Sequence, residues 1–200
     1  MEAHDENQNI IKTEAPEEQA KVASKRKKIF KEILSWLIVL GAAWGIAWVV
    51  LNVVIVNAIV PTGSMRATIE EDTRLVAFRL SYLFSDPQRF DVIVIRSHND
   101  ESTLYVKRII GMPGDRLDII GGRVYINGDT EPLDEWFLLE PARPDLGSQT
   151  FYVPQGHYFV MGDNRNDSQD SRGWADPFVP RENILGRAVF RYFPRIGLIR

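Results

Sequence analysis

Residues 33–60 read ILSWLIVLGAAWGIAWVVLNVVIVNAIV and contain no charged side chain. As a helix with a rise of about 1.5 Å per residue, this run would span roughly 42 Å, more than the hydrocarbon core of about 30 Å requires. Pro61 follows it and is a natural place for a helix to stop. The run therefore predicts one transmembrane helix over residues 33–60, with a folded domain over residues 61–200.

A basic cluster precedes the run and predicts its orientation. Positively charged residues stay on the cytoplasmic side of a membrane, so the N-terminus is expected inside the cell and residues 61–200 outside it. Residues 1–32 are predicted to be a disordered, acidic cytoplasmic tail that ends in this cluster. A cleaved secretory signal is the competing interpretation, although the apolar run is longer than such signals use. The cluster consists of Lys25, Arg26, Lys27, Lys28 and Lys31.

Composition narrows the classes of function. The chain has 200 residues, a formal net charge of −3 and no cysteine. This charge is not typical of nucleic-acid binding, so no nucleic-acid partner is expected. Without cysteine the chain can form neither a disulfide nor a thiolate nucleophile. The part beyond the apolar run is long enough for one domain with a core of its own.

Short runs of β-branched and apolar residues dominate the part beyond the apolar run. Turn residues separate these runs, and no helical period is sustained. Residues 129–149 are rich in proline and acidic residues and are predicted to be a long surface loop. The pattern indicates a mainly β domain with barrel-like folded sheets. The predicted strands cover residues 75–78, 91–95, 104–110, 117–120, 123–126, 151–153, 158–161 and 188–193.

Ser64, in the sequence Pro61-Thr62-Gly63-Ser64-Met65, is the candidate nucleophile, and it needs a base to accept its proton. His98 and His157 are possible bases, although each also fits an ordinary turn or surface position. Lys107 lies within a strand, where burial would lower its pKa from about 10.4 towards neutrality. A lysine at the strand edge whose amine reaches water is the simpler interpretation of that residue. The residues alone leave these alternatives open.

A polar stretch from Gly162 to Arg172 reads GDNRNDSQDSR. Its Asp, Asn and Ser side chains are suited to a rigid hydrogen-bonded loop. Asp163, Asp167 and Asp170 invite a calcium interpretation, but Arg165 would occupy a ligand position of the usual loop. Neither a metal nor a cofactor is expected.

Taken together, these segments resemble the bacterial type I signal peptidases, which are membrane-bound serine proteases. Four blocks occur in the family's order, and the resemblance as a whole covers nearly all of the chain past Ile33. They are Pro61–Met65, Arg89–Val94, Tyr105–Asp115 and Gly162–Arg172. The chain departs from the family's pattern at Ala67, where proline is usual, and at Ile69, where leucine is common.

The resemblance implies specific roles for six residues. Ser64 would be the nucleophile and Lys107 the general base. The Ser64 N–H and the Thr62 hydroxyl would form the oxyanion hole. Ser168 would orient the lysine amine, and Asp170 and Arg172 would brace the site.

The resemblance also implies what the protein does and where. It would be a single-pass enzyme of the plasma membrane with an extracytoplasmic catalytic domain. It would cut signal peptides from secretory preproteins after small residues, close to the surface of the lipid bilayer and near the protein-export translocon. Two other classes remain at this point, namely a serine–lysine protease related to self-cleaving repressors and a non-catalytic β domain tethered to the membrane. The repressor class carries a DNA-binding domain, whereas the N-terminal part here is an acidic tail followed by a predicted membrane helix.

Overall fold

The computed structural model describes residues 6–97, 103–144 and 147–199, and only the backbone of residues 6–20, 22 and 23. The chain divides into two units, residues 1–49 and residues 50–200. The first unit contains helix α1, Glu6–Val49. The second contains eleven strands in the described residues and a single π-helical turn, Val50–Val54, at its start.

Helix α1 and the π-helical turn contain a segment that is long and apolar enough to cross a membrane. This segment is Ser24–Val54, and an 18-residue window within it has a mean hydropathy of 2.3. The helix begins at Glu6, whereas the sequence predicted disorder over residues 1–32. Glu, Gln, Lys and Ala are abundant in this tail and have high helix propensity, which explains why polar composition alone was a poor guide to its backbone.

The sequence predicted helix up to residue 60, and this boundary is wrong. Residues Ile55–Val60 form strand β1. Val56, Ala58 and Val60 alternate into the core and are at most 5% exposed, while Ile59 faces outward and is 56% exposed. β-branched residues with a period of two favour a strand. The absence of charge over residues 33–60 concealed the change from helix to strand.

Two antiparallel sheets make up the second unit, in agreement with the predicted mainly β fold. The larger sheet has the order β1-β2-β10-β3-β4-β8-β9, with β11 paired to β10, and the smaller has the order β6-β5-β7. The remaining strands are β2 (Thr73–Phe78), β3 (Val92–Arg96), β4 (Leu104–Gly111), β5 (Arg116–Ile120), β6 (Arg123–Ile126), β7 (Gln149–Tyr152), β8 (His157–Met161), β9 (Phe178–Pro180), β10 (Ile184–Phe193) and β11 (Gly197–Leu198).

The larger sheet curls, because its edge strand β1 approaches β4 although three strands separate them in the sheet order. One buried cluster lies inside this curl and contains Met65, Ile69 and Leu75. A second cluster joins the smaller sheet to β8 through residues such as Leu117 and Phe159. Strand β4 lies between these clusters, and its residues from Val106 to Gly111 are all buried.

Residues 129–144, 147 and 148, the described part of this segment before Gln149, contain no regular strand, as expected for a loop, but they do not all lie at the surface. Phe137 is only 6% exposed and belongs to the second cluster, against which Leu133 and Leu138 also pack. The proline-rich composition predicted the irregular backbone correctly. It gave no sign that one aromatic side chain in the loop would fill the core.

The strand at residues 55–60 can be tested with one charge at two neighbouring positions. Ala58→Asp would bury an unpaired carboxylate and should cost several kcal/mol of unfolding free energy, whereas Asn57→Asp, on the exposed face, should change it by less than about 1 kcal/mol. Thermal unfolding of the full chain in detergent measures both. Equal effects at the two positions would contradict the strand, since a helix in lipid would disfavour both charges.

Candidate active site

Ser64 lies in a short 3₁₀ turn, Gly63–Met65, directly after strand β1. The Ser64 side chain is 7% exposed, whereas Met65 and Ile69 are fully buried in the core beneath it. The Ile69 N–H donates to the Met65 carbonyl. These two apolar anchors fix the turn, so the position of the serine depends on packing as well as on backbone conformation.

Thr62 lies two residues before Ser64 and is exposed at the same turn. Its hydroxyl donates a hydrogen bond to Ser64 Oγ over 3.3 Å. A hydroxyl at this distance can help to orient the serine, and it remains available to another acceptor nearby.

Lys107 lies on β4 opposite Ile93 of β3 and is 3% exposed. Its amine donates to Ser168 Oγ over 3.1 Å. Burial lowers the pKa of Lys107 from its ordinary 10.5 to about 8, and the charge of Arg172 also lowers it, against the opposite effect of Asp170 and Asp163. The expected alternative, a lysine whose amine reaches water at the strand edge, is therefore wrong for this residue.

Asp170 organises the loop that carries Ser168. Its carboxylate accepts hydrogen bonds from the Gly162 N–H at 2.9 Å and from Arg172 Nε at 2.8 Å and Nη2 at 2.9 Å. Burial by itself would raise the pKa of Asp170, but hydrogen bonds from Arg172, Gly162 and Ser168, together with the arginine charge, hold it below its ordinary value. Asp170 is therefore a fixed anion that braces Ser168 from behind.

Asn164 ties this loop to the turn Gly63–Met65, which carries the candidate nucleophile Ser64 and which we call the nucleophile turn. Sequence reasoning missed this contact. Its backbone N–H donates to the Ser64 carbonyl over 3.0 Å, and its side-chain amide donates to the Gly63 carbonyl over 3.0 Å. The loop that holds the Lys107 partner is thus bonded directly to the residue that carries the hydroxyl. An Asn within a run of turn-forming residues gave no local signal for this long-range contact.

A buried ion pair lies beside the site and was also not predicted. Arg108 donates from Nε and Nη2 to the two oxygens of Asp163 over 2.8 and 2.7 Å, and both side chains are fully buried. The Thr68 hydroxyl donates to Asp163 over 2.5 Å. A bidentate pair of this kind fixes the relative position of its two residues. It joins strand β4, at the residue directly after Lys107, to the loop that begins at Gly162.

A cleft of about 310 Å³ brings Thr62, Ser64 and Lys107 together, whereas the candidates Ser168, Asp170 and Arg172 do not line it. Strand β1 and the nucleophile turn form one side, with Ile59, Thr62 and Ser64 in contact with the cleft, and β4 contributes Tyr105 and Lys107. The rings of Tyr105 and Trp174 stack 6.0 Å apart at its wall. Ser64 and Lys107 therefore face one common space, which is lined mainly by apolar side chains.

The histidines contribute nothing to this cleft in the part of the chain that the structure describes. His157 lies at the start of β8 and contacts the Gln155 carbonyl through Nδ1 at 3.0 Å. It does not line the cleft. His4 and His98 lie outside the described residues.

Comparisons with known proteins agree with this architecture. Residues 33–193 match the model of a family described as signal peptidase, peptidase S26. Signal peptidase I of Leptolyngbya laminosa is 40% identical over 147 residues, covering 69% of this chain and 70% of that protein. Probable signal peptidase I-1 of a Synechocystis species is 41% identical over 142 residues, covering 68% and 69%. Signal peptidase I of Rickettsia bellii is 32% identical over 200 residues, covering 74% and 69%.

The chain belongs to the signal peptidase family, peptidase S26. It is a serine peptidase of the signal peptidase I type, a class that removes signal peptides from preproteins. The apolar N-terminal helix fits a membrane-anchored member of this class.

Gly162 offers a test of the contact between the loop and the nucleophile turn. A Cβ at this position would lie 2.7 Å from Ser168 Cβ and closer still to Ser168 Oγ and the Ser64 carbonyl, so one of them must move. Gly162→Ala should lower kcat by about 100-fold, since displacement of a catalytic group by about 1 Å costs that much. Gly173→Ala is the matched control, because a Cβ there meets nothing within 4 Å. Equal activity of the two variants would show that this contact is unimportant.

Lys107 offers a test of the cost of its burial. Its pKa of about 8 instead of 10.5 corresponds to roughly 3 kcal/mol of lost stability at neutral pH. Lys107→Met should therefore raise the unfolding free energy at pH 7 by about 1–3 kcal/mol. The gain should be complete below pH 8 and disappear between about 8 and 10.5, where the folded lysine binds fewer protons than the unfolded one. Denaturant unfolding at several pH values measures it, and a gain that does not depend on pH would contradict the explanation.

Proposed function

We propose that the protein cleaves signal peptides from secretory preproteins with Ser64 as nucleophile and Lys107 as general base. The observation that carries the proposal is that a buried lysine amine with a pKa of about 8 lines the same cleft as a serine held in a fixed turn. A base with a pKa near the working pH is neutral often enough to accept a proton. No histidine among the described residues lines this cleft.

The chemistry follows from this pair. As Ser64 Oγ bonds to the carbonyl carbon of the last residue of the signal, Lys107 Nζ takes the hydroxyl proton. The tetrahedral intermediate then breaks its C–N bond, and the lysine ammonium gives that proton to the leaving amine. Water attacks the resulting ester in the same way, with Lys107 accepting its proton and returning one to Ser64 Oγ. The signal peptide leaves with a free carboxylate.

Thr62 and the backbone of Ser64 would stabilise the negative oxygen of the intermediate. The Thr62 hydroxyl lies close to Ser64 Oγ, so it can turn towards the substrate carbonyl oxygen, which becomes negative when its carbon bonds to Oγ. Each donor of this kind contributes about 3–4 kcal/mol to the transition state. Ser168 would orient the Lys107 amine, with Asp170 and Arg172 fixing Ser168 in turn.

The membrane would hold enzyme and substrate together. The basic cluster at the N-terminal end of the candidate span supports an N-terminus in the cytoplasm and a catalytic unit outside, by the positive-inside rule. Only strand β1 and a short turn separate Ser64 in sequence from the end of the span, Val54. Cleavage would therefore take place near the outer surface of the plasma membrane, close to where preproteins leave the export translocon. By resemblance, small residues at positions −1 and −3 of the signal would enter the apolar cleft.

Preprotein cleavage by the detergent-solubilised full chain tests the dyad. Ser64→Ala and Lys107→Ala should each reduce cleavage by at least about 1,000-fold, since each removes a group that the reaction requires. Ser85→Ala, at an exposed serine bonded to the Ser81 carbonyl, is the control and should behave as the wild type.

The pH dependence gives a second readout of the same dyad. Because Lys107 must be neutral, kcat/KM should rise with pH and level off above about 8, following the pKa of the free enzyme's base. A plateau reached near pH 6.5, together with activity in Lys107→Ala, would point to a histidine base instead.

A further inference from the structure

Residues 135–143, which we call the clamp segment, leave the smaller sheet and contact the loop that carries Ser168. Three separate contacts join them, through Glu135, through Phe137 and through the stretch 140–143. This segment lies within residues 129–149, whose content of proline and acidic residues suggested only a surface loop. Its contacts fall on residues 165 and 166, directly before Asp167 and Ser168.

The first contact is a largely buried ion pair. Glu135 Oε1 accepts a hydrogen bond from Arg165 Nη2 over 2.5 Å, and the two side chains are 9% and 0% exposed. Arg165 also donates from Nε to the Gly162 carbonyl over 3.1 Å, while its own carbonyl accepts from Arg172 Nη2 over 2.9 Å. Arg165 therefore links Glu135 to both ends of the turn that contains Ser168.

The second contact places one aromatic ring beside two buried cations. The Phe137 ring centroid lies 4.2 Å from the Arg108 guanidinium and 5.9 Å from that of Arg165. It also packs against Phe90, with ring centroids 5.5 Å apart. Arg108 is the ion-pair partner of Asp163, so this ring covers the start of the loop while Glu135 holds its middle.

The third contact involves Asn166. Its amide donates to Glu140 Oε1 over 2.8 Å and to the Pro141 carbonyl over 3.2 Å. Its side-chain oxygen accepts from the Arg143 N–H over 2.8 Å. Asn166 therefore uses both ends of its amide on the clamp segment and is fixed two residues before Ser168.

We expect the Glu135 contact to matter most of the three, because its loss would leave a buried guanidinium without its counter-charge. Arg165 Nη1 already has no hydrogen-bond partner in the described part of the chain. The Arg165 side chain is fully buried and cannot be hydrated without movement of the loop. A buried charge that has lost its partner either forces a rearrangement or draws in water.

We propose that Glu135 is a positioning residue that acts through Arg165 to hold Ser168 against the Lys107 amine. The inference rests on the proposed function, since Ser168 matters to the reaction only if Lys107 is the base. The clamp segment, which follows strand β6 of the smaller sheet in sequence, would thereby have a role in the chemistry although none of its residues lines the cleft. Substrate binding should depend little on Glu135, because Glu135 does not line the cleft either.

Cleavage kinetics of the full-length protein in detergent test this role with Glu135→Gln, which keeps the shape of the side chain and removes its charge. We expect kcat to fall by roughly 10- to 100-fold with KM within about two-fold of wild type. Glu135→Asp keeps the charge and should recover part of the loss. Glu131→Gln makes the same substitution on the same loop at an exposed residue and should match the wild type.

A double-variant cycle separates positioning from general support of the fold. If Glu135 acts through Ser168, Glu135→Gln should cost much less in a Ser168→Ala background than in the wild type. Wild-type kcat in Glu135→Gln, a change confined to KM, or losses that multiply in the double variant would each overturn the proposal. If Glu135→Gln does not fold, the milder Glu135→Asp should still lower kcat a few-fold with KM unchanged, and a wild-type kcat in that variant would also overturn the proposal. Full activity of Ser64→Ala would instead refute the dyad itself.

Discussion

Burial of the Lys107 amine is the constraint on which the rest of the site depends. A lysine in water is protonated at neutral pH and cannot accept a proton from a serine. Here the strand that carries it lies between two apolar clusters, so that the amine is 3% exposed and its pKa falls to about 8. The fold makes the amine easier to deprotonate by removing water, and it loses roughly 3 kcal/mol of stability at neutral pH in return.

Arg108, the next residue on β4, is also buried but keeps its charge. Arginine cannot lose its proton, and Arg108 is paired bidentately with Asp163. Lys107 forms no ion pair within the described residues, and the nearby Asp170 has its own partner in Arg172. Without Arg172, the charge of Asp170 would hold the lysine protonated more strongly, because Asp170 raises and Arg172 lowers the pKa of Lys107. One side chain therefore stays charged to hold the structure, and its neighbour is kept easy to deprotonate.

The loop from Gly162 to Arg172 joins parts of the chain that are far apart in sequence. Asn164 bonds the nucleophile turn, Ser168 bonds the lysine and Arg165 bonds the clamp segment. Contacts of this kind fix relative positions better than any single element could, since each restrains the loop from a different direction. The polar side chains of this loop are used in such hydrogen bonds, both to other side chains and to backbone groups, which explains why the loop contains so many of them.

The sequence by itself determined the apolar span, the mainly β character and most strands, because these follow from local patterns of charge and of β-branched residues. Short motifs also identified Ser64, Lys107 and the Gly162–Arg172 stretch as candidates. The sequence alone did not reveal the change from helix to strand at Ile55, since apolar composition is the same in both. The tertiary structure alone decided that Lys107 is buried, that Arg108 pairs with Asp163, that Asn164 reaches the turn of Ser64 and that Glu135 reaches the Gly162–Arg172 loop. Each of these depends on contacts between residues distant in the chain, which no local pattern encodes.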